Sequence, residues 1–179
     1  AQQIVLEEYI MAIDAGVERV RRLEAHVAAV APSWDRLPYV NALMAFRGFK
    51  LVAAMTMISE LGDLSRFQHP RQLMAYLGLV PSEDSSGERR RQGGITKTGN
   101  SHARWMLIEC ASHYAHRPKV TPQLSARQEG QTRFVLEISW KAQNRLHHRF
   151  GALATRRLHR NKVIVALARE LAAFIWELH

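Results

Sequence analysis

The sequence predicts an all-α fold: a long N-terminal coiled-coil helix, then a helical domain with a helix-hairpin-helix-like segment and one irregular loop. Three observations predict it. Apolar residues Leu6, Ile10, Ile13, Val17, Val20, Leu23, Val27 and Val30 recur at steps of three and four, Val163, Leu167, Leu171, Phe174 and Leu178 form a second helical stripe, and residues 80–99 lack any sustained period. At 179 residues and 47% apolar content, the chain can bury one ordinary core and carry an added arm.

The first seam is a heptad pattern with a single stammer, the signature of a helix that packs on a partner helix. Either another copy or the chain's own body can be that partner; a homo-oligomer through the arm is the expectation. Pro32, Ser33 and Pro38 close the arm, giving a coiled-coil segment 1–32 and a domain 39–179. Because the chain opens directly inside a helical pattern, it is expected to be a piece of a longer protein.

Residues 39–62 follow as a short helix from Tyr39 to Phe46, the turn Arg47-Gly48-Phe49-Lys50, and an apolar helix from Leu51 to Leu61 that stops at Gly62. Such a pair is either a helix-hairpin-helix, whose backbone N–H groups grip a phosphate near Gly48 and Lys50, or a plain αα-hairpin with glycine as a C-cap. A helix from Pro70 to Leu77 has proline at a favoured first position. The unpatterned segment 80–100 is rich in Ser, Gly and charge, and a loop of that length in a compact domain points to function. Asn100 or Ser101 then caps a helix that runs through Tyr114, Pro118 ends it, and Pro118 to Gly130 reads as a polar connector. Helices from Arg133 to Phe150 and Lys162 to Leu178 complete the domain, separated by the basic run Arg156, Arg157, His159 and Arg160.

The formal net charge is +9, and its excess is one-sided: residues 1–80 hold eight Lys/Arg against eight Asp/Glu, residues 81–179 seventeen against eight. A field of that sign captures polyanions, and DNA or RNA is the commonest that a basic domain meets. Cys110 is the single cysteine, so an internal disulfide and a cysteine-built zinc site are excluded, and its setting suits a buried filler. No apolar run reaches the roughly 18 residues of a membrane span, and AQQIVLEEYI has no basic export region. A cytoplasmic, nucleoid-associated protein is expected.

Gly94 to Ser101 imitates a P-loop, but Asn100 stands where the phosphate-gripping lysine belongs and no apolar strand precedes it, so nucleotide hydrolysis is not supported. Ser85 and Ser86 lie outside any nucleophile elbow. A serine that attacks phosphorus needs a base or metal and cations for the phosphoryl oxygens. Arg89, Arg90 and Arg91 meet the second need, the segment has no base, and a turn-forming Ser-Gly is the simpler reading. His113 with His116 and the pair His147-His148 lack a third ligand at readable spacing, Glu60 and Asp63 are too few for a two-metal site, and Trp34, Trp105, Trp140 and Trp176 read as core.

The stretch RGFKLVAAMTMISELGDLSRFQHPRQLMAYLGLVPSEDSSGERRRQGGITKTGNSHARWMLIECA, with WKAQNRLHHRF and VIVALARELAAFIW further on, resembles the C-terminal transposase domain of the IS-one-ten family of insertion-sequence recombinases, itself similar to Piv-type DNA invertases. The resemblance covers about residues 43–178. It implies a DNA recombinase guided by a structured bridge RNA, with a composite active site. In that site the acidic tetrad of a RuvC-like domain, absent from this chain, holds Mg²⁺, while a serine of the transposase domain attacks the DNA phosphate to form a phosphoserine link. The family's Ser-Gly falls on Ser86-Gly87, which makes Ser86 the implied nucleophile and Ser85 the runner-up. Gly87, Arg89, Arg90, Arg91, Lys97, Gly99, Asn100 and Arg104 are the implied nucleic-acid contacts, the last four through a K-x-G-N…R pattern. Where many members have Gly-x-Gly at the hairpin, Gly48 is here followed by Phe49 and Lys50, which weakens phosphate contact there. No metal is expected on this chain alone. The competing reading is a non-catalytic nucleic-acid-binding and dimerisation module in which Ser86 only forms a turn. On the composite-site reading, this chain alone binds nucleic acid and cleaves nothing; metal-dependent strand cleavage by the purified chain would refute it.

Overall fold

A computed structural model describes residues 2–86 and 89–178 of the chain, and for 83–92 it describes backbone only. The chain divides into two compact units, residues 1–37 and 38–179.

The first unit is dominated by helix α1 (Gln2–Val30), followed by a single 3-10 turn at Ala31–Ser33. None of α1's residues is buried, and the seam side chains Leu6, Ile10, Ile13, Val17, Val20 and Leu23 are all exposed.

The second unit is built from α2 (Leu37–Met44), α3 (Leu51–Leu61), α4 (Pro70–Tyr76), a two-stranded sheet of β1 (Pro81–Ser86) and β2 (Arg89–Ile95), α5 (Ser101–Ser112), α6 (Pro122–Gln128), α7 (Arg133–Ala154) and α8 (Arg160–Trp176). The all-α expectation holds. Helix α8 is the centre: Val163, Leu167, Leu171 and Phe174 are buried, and α4, α5 and α7 all pack on it. Leu178 reaches past its end onto a small cluster of Ala42, Ala45 and Val135. Among the described residues no helix is long and apolar enough to cross a membrane.

Two expectations need correction. The segment predicted to be an irregular loop is an antiparallel hairpin, whose register opposes Glu83 to Gln92, Asp84 to Arg91, Ser85 to Arg90 and Ser86 to Arg89. Between the pairs Pro81↔Ile95 and Glu83↔Gln92 the register shifts, because Gly93 and Gly94 together oppose the single residue Ser82, a β-bulge. The Ser82 hydroxyl donates to the Gly94 carbonyl at 3.1 Å across that bulge. The polar connector likewise contains a helix, α6, with Pro122 in its first turn and the Thr121 hydroxyl accepting from the Leu124 N–H.

Helix α6 and the middle of α7 close the end of α2. A helix leaves its last carbonyls without partners, and buried carbonyls must find donors elsewhere. Here Arg127 Nε donates to the Met44 carbonyl at 3.1 Å, while Gln128 Nε2 at 3.0 Å and the buried Ser139 hydroxyl at 2.7 Å both donate to the Ala45 carbonyl. The turn after α2 is fixed in the same way, with the Arg47 guanidinium donating to the carbonyls of His116, Arg117 and Lys119 at 2.9–3.0 Å.

Gly48 holds a φ of 90°, and a Cβ built there would stand 2.5 Å from the Cys110 carbonyl oxygen on α5. Its missing side chain thus lets the α2–α3 turn lie directly on α5. Phe49 beside it is fully buried and Lys50 is exposed. Gly48→Ala combines a disfavoured backbone with a clash against main chain and is expected to cost about 2 kcal/mol or more, read as a lower denaturation midpoint in urea.

Candidate nucleic-acid interface

The hairpin rises from a junction made by the ends of α3 and α4 and the start of α5. Helix α4 finishes in a Schellman turn: Gly78, at φ 64°, donates its N–H to the Ala75 carbonyl at 2.8 Å, and Leu79 donates to Met74 at 2.9 Å. The segment that leaves β2 comes back alongside this turn. Thr96 N–H donates to Val80 O at 2.9 Å, Lys97 N–H to Gly78 O at 3.2 Å and Asn100 N–H to Tyr76 O at 3.1 Å. Both glycines are needed, since a Cβ on Gly78 would run into the Thr98 carbonyl and one on Gly99, at φ 78°, into the Tyr76 carbonyl. Lys97 adopts φ 57°, left-handed for a residue with a side chain, and that side chain is exposed.

Side chains then lock the junction. Asn100 caps α5 by accepting from the Ala103 N–H at 2.9 Å, and its own amide donates to Glu60 Oε2 at 2.6 Å. The other Glu60 oxygen lies 2.7 Å from His102 Nδ1, and the Tyr76 hydroxyl donates to the Glu60 carbonyl at 3.2 Å. Arg104 Nη1 donates to the carbonyls of Leu77 and Thr98 at 3.0 and 3.1 Å. Hydrogen bonds from Asn100 and then His102 hold the Glu60 carboxyl below the ordinary glutamate value.

The implied contact residues therefore separate into two groups. Asn100 and Arg104 have internal hydrogen-bond partners as parts of the junction, and Gly99 lies close against the Tyr76 carbonyl. Gly48 is engaged in packing on α5. Lys50 and Lys97 are exposed cations near the two turns. Ser85, Ser86, Arg89, Arg90 and Arg91 lie on the hairpin, each serine cross-strand from an arginine, and Gly87 lies outside the described residues.

The sequence reading missed Glu60 as the anchor of this junction, and it put every tryptophan in the core. Trp105 is 55% exposed and stacks near-parallel on His102, ring centroids 6.2 Å apart at 13°. The signal was present, because α5 buries Ala103, Leu107, Cys110 and Ala111, and residue 105 falls off that stripe. Trp140 is exposed too, at 46%. Cys110 is the inert filler expected: burial pushes its thiol up to about 12.

The profile of the Transposase IS116/IS110/IS902 family matches residues 40–129, which include the hairpin and its junction. Across 98% of the chain the sequence is 43% identical to the y4qE protein of Sinorhizobium fredii. It is also similar to the transposase for insertion sequence element IS1111A of Coxiella burnetii, 33% identical over 52% of the chain, and to that for IS1328 of Yersinia enterocolitica, 29% identical over 75%. The chain spans 42%, 25% and 34% of the lengths of these three relatives.

Because the folded-state pKa of Glu60 is depressed, its contribution to stability is present above the ordinary glutamate pKa and disappears as pH falls through the lowered folded value. Glu60→Gln is therefore expected to remove that part of the acid dependence, so the variant and parent melting temperatures differ most near neutrality and converge in acid. Parallel melting curves against pH, offset by a constant, would show that the carboxylate charge is not what holds Asn100 and His102.

Proposed function

Since the chain belongs to the Transposase IS116/IS110/IS902 family, we propose that it is the serine-bearing part of a DNA transposase and that Ser86 is the nucleophile. The observation that supports this reading is the hairpin register, in which Ser86 opposes Arg89 and Ser85 opposes Arg90 on a two-stranded arm tied down at its base. In the step proposed, the Ser86 oxygen forms a bond to a DNA phosphorus. The P–O bond to the neighbouring nucleotide breaks, and the departing sugar oxygen leaves as a hydroxyl after protonation. The phosphodiester is thereby exchanged for a phosphoserine ester without hydrolysis, which conserves the bond energy for rejoining to another strand. Arginines 89–91 serve as the cations that offset charge on the phosphoryl oxygens.

The family resemblance also implies Mg²⁺, and among the described residues no group of three His, Cys, Asp or Glu side chains converges. The proposal assigns that ion, and the base, to a RuvC-like part of the protein outside the chain. Guidance by a structured RNA, and assembly of copies through the exposed seam of α1, are parts of the same proposal; the seam supports the second by presenting an unburied heptad pattern.

The test uses the full-length protein with its DNA substrate under denaturing electrophoresis. A covalent protein–DNA adduct is expected from the parent and from Ser85→Ala, and its yield is expected to fall to background in Ser86→Ala. An undiminished adduct in Ser86→Ala would remove the nucleophile assignment.

A further inference from the structure

The hairpin and its junction use only part of the positive charge of this chain. Residues 138–169, beyond the family-matched region, carry eight Lys or Arg and no Asp or Glu. This stretch is most of α7, the turn after it, and the first part of α8. Two concavities open along it and share Arg149. One of about 360 Å³ has Arg71, Met74, Arg149 and Arg169 among its walls, and the other, about 380 Å³, has Arg145, His148, Arg149 and Ala152. Past them the exposed side chains of Arg156 and Arg160 continue the same charge onto the α7–α8 turn.

The guanidinium groups in this groove are pre-positioned. Glu170 accepts from Arg145 Nε at 2.6 Å, and its second oxygen lies 3.1 Å from Arg149 Nε. One carboxylate thus hydrogen-bonds Arg145 and forms an ion pair with Arg149, while Arg71 and Arg169 add charge that this acid cannot balance. Planar guanidinium forks fit phosphate oxygens in geometry as well as sign. Length then selects the ligand. From Arg145 to the end of α7 at Ala154 the helix advances about 14 Å at 1.5 Å per residue, close to four base steps at roughly 3.4 Å along one DNA strand. A free phosphate or a single nucleotide would leave most of these cations unmatched, whereas an extended phosphodiester chain meets them in series.

We propose that this α7–α8 groove is a second DNA site, one that grips the backbone of duplex DNA away from the reacting phosphate. It lies at the N-terminal end of α4, whereas the hairpin springs from the C-terminal end of the same helix, so one duplex path can touch both. The inference draws on the proposed function only in taking duplex DNA as the polyanion, and it needs no chemistry from Ser86.

The experiment titrates the full 179-residue chain into a fluorescent, mixed-sequence DNA duplex at several KCl concentrations. Two double variants are compared: Arg149→Gln with Arg169→Gln in the groove, and Arg156→Gln with Arg160→Gln on the turn. Each is expected to weaken binding several-fold and to flatten the slope of log K against log salt by about 0.9 for every phosphate no longer neutralised. The corresponding Arg→Lys pairs should restore most of the slope. Should removing the ion pair to Glu170 unfold the groove variant, the turn pair decides, since its side chains are exposed. A parental slope in the turn pair, or a weakening confined to an RNA hairpin probe with duplex binding intact, overturns the proposal. Equilibrium binding is the readout, so failure of Ser86 as a nucleophile would leave this result standing.

Discussion

The meeting of two backbone turns at Gly78 and Gly99 is the constraint on which the hairpin depends. Each glycine occupies a left-handed conformation, and each lies where the opposing main chain leaves no room for a Cβ. Conformation and space thus demand the same residue at both points, which makes the contact far less tolerant than either requirement alone. Three inter-segment backbone hydrogen bonds, from Thr96, Lys97 and Asn100, close the seam between the turns. A two-stranded ribbon alone in water is marginally stable at best, so the hairpin draws its order from this base.

The base in turn distributes its attachment over three helices. Glu60 brings in α3, Tyr76 and the Schellman turn bring in α4, and Asn100, His102 and Arg104 bring in α5. Displacing any one of these helices would move the foot of the hairpin with it. The same arrangement explains why a motif that reads as phosphate-binding is so largely occupied with protein. Asn100 can cap a helix and bind Glu60 at once, because its carbonyl accepts while its amide donates. A lysine at that position has donors alone and no acceptor for the Ala103 N–H, so it could not replace Asn100 as the cap. The departure from a P-loop at Asn100 is thus a structural requirement of the junction.

What the sequence revealed and what it concealed follows from the kind of signal each element leaves. Helix α8 was readable from its buried apolar stripe, α3 from its apolar run and α4 from Pro70 at its first position, with Gly62 and Asn100 marking ends where the structure places them. The hairpin left no such trace. Its opposed pairs, Glu83 with Gln92, Asp84 with Arg91 and Ser85 with Arg90, are polar at every position, so no apolar face generates a period of two. Gly93 and Gly94 then break the register by one residue and erase the remaining alternation. Helix α6 was hidden among polar residues, although Thr121-Pro122 is a cap followed by a favoured first residue and could have disclosed it. Serine beside consecutive arginines is an unusual composition, and it is what drew the sequence reading to this segment. Glu60 was not legible, because a carboxylate at a helix end acquires its meaning only from residues some 40 positions away that tertiary structure brings to it.

Arginine use in the second unit links its architecture to its electrostatics. Arg47, Arg104 and Arg127 are half-buried and hold the fold together, yet the acceptors they reach are backbone carbonyls and not carboxylates. A carbonyl satisfies an N–H group without cancelling its charge. Had those same positions been held by salt bridges, each would have required an added acid, and the domain's net charge would fall by one for every pair. Holding turns and helix ends with guanidinium-to-carbonyl bonds therefore stabilises the fold while leaving its positive field intact. Burial lowers the pKa of Arg47 and Arg127, but an arginine starts so far above neutrality that the charge persists. The arginines of the hairpin and those on the α7–α8 turn thus lie within a positive field that the scaffold's own arginines help to generate, through the same contacts that keep the domain folded.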